Sequence, residues 1–171
     1  MYGMYKMNEF KKNNPYILAA SFFYAGFFPY GPGTVGSFAA FLLYIFLLRF
    51  LNPFYYIAVC IIIFVSGVYV SSKASKISGL DDPSFVVIDE VLGYLAVMSG
   101  LLWMHFDFFH ILIYSLLGFI LFRIFDITKP MFIGTIDKKI KGGLGIMLDD
   151  VASALFSVVI LRIAIVIIAG I

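Results

Sequence analysis

The sequence predicts an all-α integral membrane protein with about five transmembrane helices, preceded by a short N-terminal interfacial or re-entrant helix. Three observations predict this. Hydrophobic residues are 63% of the 171-residue chain and charged residues 13%, against about 45–50% and 25% in a soluble domain. Apolar runs recur at lengths that cross a hydrocarbon core about 30 Å thick. The charges are also concentrated. Asp126–Asp150 (DITKPMFIGTIDKKIKGGLGIMLDD) holds four carboxylates, four lysines and four glycines between two apolar runs. Such a stretch reads as a reactive loop at a membrane surface. The length fits one domain, 1–171. A net charge of +2 gives no reason to expect nucleic acid. Cys60, the single cysteine, has no partner for an internal disulfide.

Lys6, Lys11 and Lys12 precede the apolar segment Tyr16–Phe28. Ala19–Ala20–Ser21 resembles a signal-cleavage site but falls too early in the run for a signal core of about 7–15 residues. The segment is also short for a span, because thirteen helical residues cover only about 20 Å at about 1.5 Å each. An interfacial or re-entrant helix is expected here, its aromatic residues forming one wall of a lipid entrance at headgroup level.

Pro29–Ser37 (PYGPGTVGS) carries two prolines and three glycines, which argue against regular helix and leave backbone N–H groups free. A glycine turn feeding a helix over 37–51, with Thr34 and Ser37 as extra donors, is a sound anion cradle. A tight turn with Ser37 as helix N-cap accounts for the same residues. Asn52–Pro53 breaks the run, and a second helix is expected over 54–72, ahead of Lys73 and Lys76. Ser78–Ser84 (SGLDDPS) reads as a polar turn, and Phe85–Met104 as a third span.

Asp89–Glu90 lie inside that third run. An aspartate at mid-bilayer costs about 2.5–3.5 kcal/mol on insertion scales, so the pair needs a cation or a donor. A structural salt bridge to a lysine near the helix end would serve. After His105–Phe106–Asp107, Phe108–Phe125 forms the next helix. Arg123 and Asp126, three apart on one face, read as a surface pair worth a few tenths of a kcal/mol. Asp149–Asp150 are expected to open the final helix, Val151–Ile171, where they would complement its dipole. Arg162, well inside that helix, either snorkels or pairs within the bundle.

Topology follows from the lysines. With the N-terminus and an interfacial 16–28 in the cytoplasm, five spans place Gly31–Thr34, Lys73–Ser84 and Asp126–Asp150 on that side, and mainly Arg49 near the outer face. Asp89, Glu90, Asp126, Asp137, Asp149 and Asp150 then meet at one face with Lys129. Carboxylates suit a hard divalent ion such as Mg²⁺. His105 and His110 fall at the opposite face and argue against zinc. Carboxylate-bound metal, lysine and glycine N–H groups at headgroup depth fit phosphoryl chemistry on a lipid.

In that reading Asp89, Glu90, Asp149 and Asp150 bind the metal, with Asp126 a fifth ligand or the general base. Lys129 and the Gly33–Thr34 turn bind the phosphomonoester, assisted by Ser37 and by Gly142 and Gly143. Lys138, Lys139 and Lys141 attract anionic lipid, at about 1 kcal/mol each near a charged surface. An ion- or proton-coupled transporter using the carboxylates as a relay is the competing reading. Against it, the carboxylates cluster at one face instead of stepping across the bilayer.

Four blocks also carry a resemblance. Pro32–Gly33–Thr34–Val35–Gly36–Ser37, Val87–Ile88–Asp89–Glu90, Arg123-x-x-Asp126-x-x-Lys129–Pro130 and Gly142–Gly143-x-Gly145–Ile146–Met147-x-Asp149–Asp150 resemble, in that order, the phosphatidylglycerophosphatase A family. The resemblance implies a multi-pass enzyme of the bacterial inner membrane with its site facing the cytoplasm. Its implied reaction is Mg²⁺-dependent hydrolysis of phosphatidylglycerophosphate to phosphatidylglycerol and inorganic phosphate.

Overall fold

The computed structural model describes residues 14–129 and 140–169, and all its regular elements are helical. Asparagine and proline punctuate them. Helix α1 (Pro15–Ala20) and α3 (Pro53–Ser78) each start at a proline in the first turn, capped by Asn14 and Asn52, whose side chains accept the N–H of Tyr16 and Phe54. Helix α2 (Pro32–Phe46) also starts at a proline, with Gly31 left-handed before it. α4 covers Ile88–Ser99, α5 Phe108–Thr128 and α6 Gly143–Ala169. Short 3-10 turns lie at Ala25–Phe27 and Leu48–Phe50.

Four helical stretches are long and apolar enough to cross a membrane: Pro32–Phe50, Pro53–Ser78, Phe108–Thr128 and Gly143–Ile168. Their outward faces carry exposed large residues such as Phe46, Ile62, Leu116 and Ile167, as expected where lipid is the solvent.

The third expected span is different. α4 has 12 helical residues, about 18 Å at about 1.5 Å per residue, too short to cross a hydrocarbon core as a helix alone. It sits inside the bundle, against α2, α3, α5 and α6. Val91, Leu92, Tyr94, Leu95, Val97 and Met98 are all buried. A helix apolar on every side is what enclosure requires. The hydroxyls of Tyr56 and Tyr94 donate to the carbonyls of Leu95 (2.7 Å) and Ser115 (3.2 Å), tying α4 to α3 and α5.

Small residues let the neighbours close in. A β-carbon on Gly36 would stand 2.7 Å from Val87 Cβ, and one on Gly93 would strike the Phe122 ring.

Among the described residues, 14–28 form no helix long enough to cross a membrane. α1 packs on α3, and Phe22, Phe23 and Tyr24 then turn left-handed (φ 45°, 55° and 70°). The Val87 N–H donates to the Ala20 carbonyl at 2.9 Å, and Phe27 stacks on Phe85 with ring centroids 5.0 Å apart. Two helix starts differ from expectation. α2 begins at Pro32, because proline is tolerated at a first helical position. α6 begins at Gly143, about two turns before Asp149, so the two aspartates lie within a helix and do not open it.

At the far end from Lys129, Asp107 caps α5 by accepting the His110 N–H at 2.8 Å. The same carboxylate meets His110 Nδ1 at 2.7 Å, and these bonds hold it below the usual aspartate range. The Arg49 guanidinium lies over the Phe108 ring, 4.9 Å from its centroid, and Arg162 Nη1 is 3.2 Å from Met104 Sδ.

Candidate active site

Four helix segments deliver polar side chains to one cavity of about 250 Å³. α2 contributes its first turn, Pro32 and Gly33, with Gly31 before it. The loop after α3 contributes Asp82 and Ser84. α4 brings Asp89 and Glu90, α5 brings Arg123 and Asp126 with Lys129 at its C-cap, and α6 brings Ile146, Asp149 and Asp150. Gly33 leaves room for Glu90, since a β-carbon there would meet Glu90 Oε1 and displace that carboxylate. Lys129 adopts the left-handed region (φ 38°, ψ 64°) that ends a helix, its N–H returning to the Phe125 carbonyl.

Among the described residues charge is unbalanced here. Arg123 Nη1 meets Asp126 Oδ2 at 2.6 Å, and Lys129 Nζ pairs with Asp149. These two cations face five lining carboxylates besides Asp82: Asp89, Glu90, Asp126, Asp149 and Asp150. Asp89, Glu90 and Asp150 each present a carboxylate oxygen within 4.8 Å of the others. Asp89 Oδ1, Glu90 Oε2 and Asp150 Oδ2 are buried and receive no hydrogen bond from the described residues. Buried oxygens that lack donors, drawn from carboxylates alone, are the donor set of a hard divalent cation. The residues present therefore fit a hard divalent cation such as Mg²⁺.

Of the sequence-derived candidates, the cavity brings together Gly33, Asp89, Glu90, Asp126, Lys129, Asp149 and Asp150. Ser37 stands behind them and is not an N-cap. Its Oγ donates to the Gly33 carbonyl at 2.9 Å and accepts from Arg123 Nη1 at 3.4 Å. Thr34 lines a separate groove between α2 and α5.

Gly142 and Gly143 are not among the lining residues. Gly142 turns the chain at φ 76°, and the Gly143 N–H donates to Ser72 Oγ at 3.1 Å, where a β-carbon would strike the Val68 carbonyl. Asp137, Lys138 and Lys139 lie outside the described residues. No residue of 16–28 lines the cavity, so the expected entrance wall is not found at its edge.

Sequence reasoning passed over Arg123, Asp82 and Ser84. For Arg123 the available signal was an arginine one turn before Asp126 near a span's end, read too simply as a surface pair. For Asp82 it was a second acidic pair just ahead of Asp89.

The model of the family described as phosphatidylglycerophosphatase A matches residues 18–165 of this chain. The chain belongs to the phosphatidylglycerophosphatase A family. A relative from Escherichia coli named phosphatidylglycerophosphatase A is 33% identical over 154 residues, 90% of this chain and 86% of its own length. A second of that name, from Haemophilus influenzae, is 33% identical over 147 residues, 86% of each. A third, from Bacteroides thetaiotaomicron, is 34% identical over 156 residues, 86% of this chain and 92% of its own. That protein is named a putative phosphatidylinositol-3-phosphatase. No solved structure matches the chain. Membership makes this a lipid phosphatase.

Proposed function

We propose that the chain hydrolyses the terminal phosphomonoester of phosphatidylglycerophosphate, with Mg²⁺, at the cytoplasmic face of a bacterial inner membrane. The observation that carries this reading is the cavity itself. In a lipid phosphatase family, six carboxylates, an arginine and a lysine meet at one end of a bundle of apolar helices. A site at the bundle's end can meet a headgroup without drawing acyl chains into water. A relay across the bilayer would need carboxylates along its depth, which counts against the transporter.

Asp89, Glu90, Asp149 and Asp150 would hold the cation, with Asp126 as a fifth ligand or the general base. The chemistry Mg²⁺ supplies in such a site is neutralisation of phosphoryl charge. Lys129 offers the phosphate a compact positive charge at the end of α5, and its pairing with Asp149 orients the ammonium before substrate arrives. The first turn of α2 at Gly33 and Thr34 offers backbone N–H groups to the same anion. Arg123 holds Asp126 in place while Ser37 steadies the guanidinium.

For topology, α4 followed by the turn to Asp107 serves as a fifth crossing that is only partly helical. Lys73, Lys76, Lys129 and Lys141 then share the cytoplasmic side with the cavity.

Phosphate release by the purified protein in neutral micelles, with Mg²⁺ and with a chelator, tests the reaction. Phosphatidylglycerophosphate should be turned over only with the cation. The name of the Bacteroides relative makes phosphatidylinositol 3-phosphate the competing substrate, and a higher kcat/KM on it would reassign the headgroup.

A further inference from the structure

Arg123 lines two spaces at once. One is the acidic cavity. The other is a groove of about 370 Å³ on the outer surface between α2 and α5, lined by Thr34, Phe119, Ile120, Ile124, Ile127 and Thr128 together with Arg123. Its volume lies within the range of small-molecule sites, about 300–1,000 Å³. From Phe119 to Thr128 it follows α5 for about 13 Å at about 1.5 Å per residue. Ile120, Ile124 and Ile127 are well exposed along it, so the groove opens laterally where lipid lies. Its polar members, Thr34, Arg123 and Thr128, are two hydroxyls and a cation.

A second groove, of about 360 Å³, runs between α3, α4 and α6 and also comes near the carboxylates, through Leu92, Leu148 and Val151. Among the described residues it carries no cation. A phospholipid whose headgroup ends in a phosphomonoester also has a phosphodiester between that headgroup and its acyl chains. A groove that seats such a lipid needs positive charge where the apolar path meets the polar cavity. Among these two grooves that condition is met between α2 and α5, at Arg123.

We propose that the α2–α5 groove seats an acyl chain of the lipid substrate and that Arg123, at its junction with the cavity, contacts the substrate's internal phosphodiester. This rests on the lipid phosphatase reading of the site. Arg123 is then a specificity residue. It favours lipids whose phosphomonoester is carried on a diester-linked headgroup over those, such as phosphatidic acid, whose monoester sits directly on diacylglycerol. A chain moving from bilayer to groove gains little hydrophobic free energy, because lipid tails are as apolar as the helix surface. The groove therefore orients the lipid more than it binds it.

Photocross-linking tests this without requiring turnover. The probe is phosphatidylglycerol with a photoactivatable acyl chain, in neutral detergent micelles, because it keeps both the chain and the diester. Label is expected on α5 between Phe119 and Thr128 and on the first turn of α2. Arg123→Gln should lower it about tenfold, the scale of losing one hydrogen bond to a charged group. Ile124→Trp, which fills the groove and leaves the Arg123–Asp126 pair intact, should lower it as well. Ile61→Trp, in the other groove, should label as the wild type does.

Label concentrated on Ile57–Phe64, or spread evenly around the spans, would overturn the proposal. So would wild-type labelling of the groove in both Arg123→Gln and Ile124→Trp. A wild type that labels the groove but releases no phosphate from any lipid would count against the reaction alone.

Discussion

Replacing Asp150 by asparagine should separate cation binding from folding. Asp150 is 3% exposed, and one of its oxygens lies within 4.8 Å of oxygens on Asp89 and Glu90. Two unit charges at that separation repel by about 3.5 kcal/mol at an effective dielectric constant of about 20. With all three ionised, Asp150 would thus be repelled by about 7 kcal/mol in total. Asp150→Asn keeps the shape and removes both that repulsion and one ligand. In chelator the variant should unfold at the wild-type temperature or higher.

With Mg²⁺ at about a hundred times its dissociation constant, a cation that binds only the folded wild type adds about 2.7 kcal/mol. For a chain of this size that is about 5–10 °C in Tm. The variant should lose most of this rise, and its phosphate release should fall to background. Thermal unfolding in neutral detergent, followed by circular dichroism with Mg²⁺ and with chelator, measures both effects. An equal Mg²⁺-dependent rise in variant and wild type would refute the assignment of the cation to these carboxylates.

Other changes act on single parts of the molecule. Lys129→Ala should raise the inhibition constant for inorganic phosphate about ten- to a hundredfold, the scale of one charged hydrogen bond, and an unchanged constant would remove the lysine from the phosphate site. Gly143→Ala should lower stability by about 1–3 kcal/mol, because the new methyl meets the Val68 backbone, which cannot yield as a side chain would; an unchanged unfolding midpoint would contradict that packing. With Cys60 replaced by serine, a cysteine at position 79 should label from the cytoplasmic side and one at position 107 from the outside, and the reverse pattern would invert the proposed orientation. The Asp107 cap has a folded pKa below its ordinary value, so its support of α5 is present above the usual aspartate range and fades as pH falls through the folded value. Asp107→Asn should flatten that pH dependence in a thermal titration.

Composition and proline spacing were enough to expect a bundle of apolar helices with its polar loops at one end. They failed at α4 for a physical reason. Residues buried among other helices and residues facing lipid are equally apolar, so Phe85–Met104 reads as one long span although only Ile88–Ser99 is helical. They failed again at Gly143, because a glycine that lets α6 approach α3 closely looks like a loop glycine beside the turn glycine Gly142. That hid the start of α6 and made Asp149 and Asp150 look like a helix opening. The acidic pairs and Lys129 were legible because carboxylates and lysines are conspicuous in a chain so poor in charge. Arg123 was not, since three-residue spacing to Asp126 suggests a solvated pair unless the enclosing cavity is known.

The left-handed backbone at Lys129 has an evolutionary consequence. A lysine in that conformation costs about 1–2 kcal/mol that a glycine would avoid. A chain selected only to fold would be drawn toward glycine at this position. Lys129→Gly alone, however, takes from Asp149, itself 3% exposed, the ammonium that pairs with it, and losing one hydrogen bond to a charged group costs about 1.5–3 kcal/mol. That loss cancels the relief while Asp149 stands, and the relief returns once Asp149→Asn is present. The order of change therefore matters: a lineage that loses the lysine first gains nothing in stability, whereas one that loses the aspartate first keeps a partly exposed lysine whose replacement by glycine is then favourable. Epistasis of this kind ties the lysine to the aspartate, so position 129 is held for as long as Asp149 stands, even in a lineage that no longer needs the reaction.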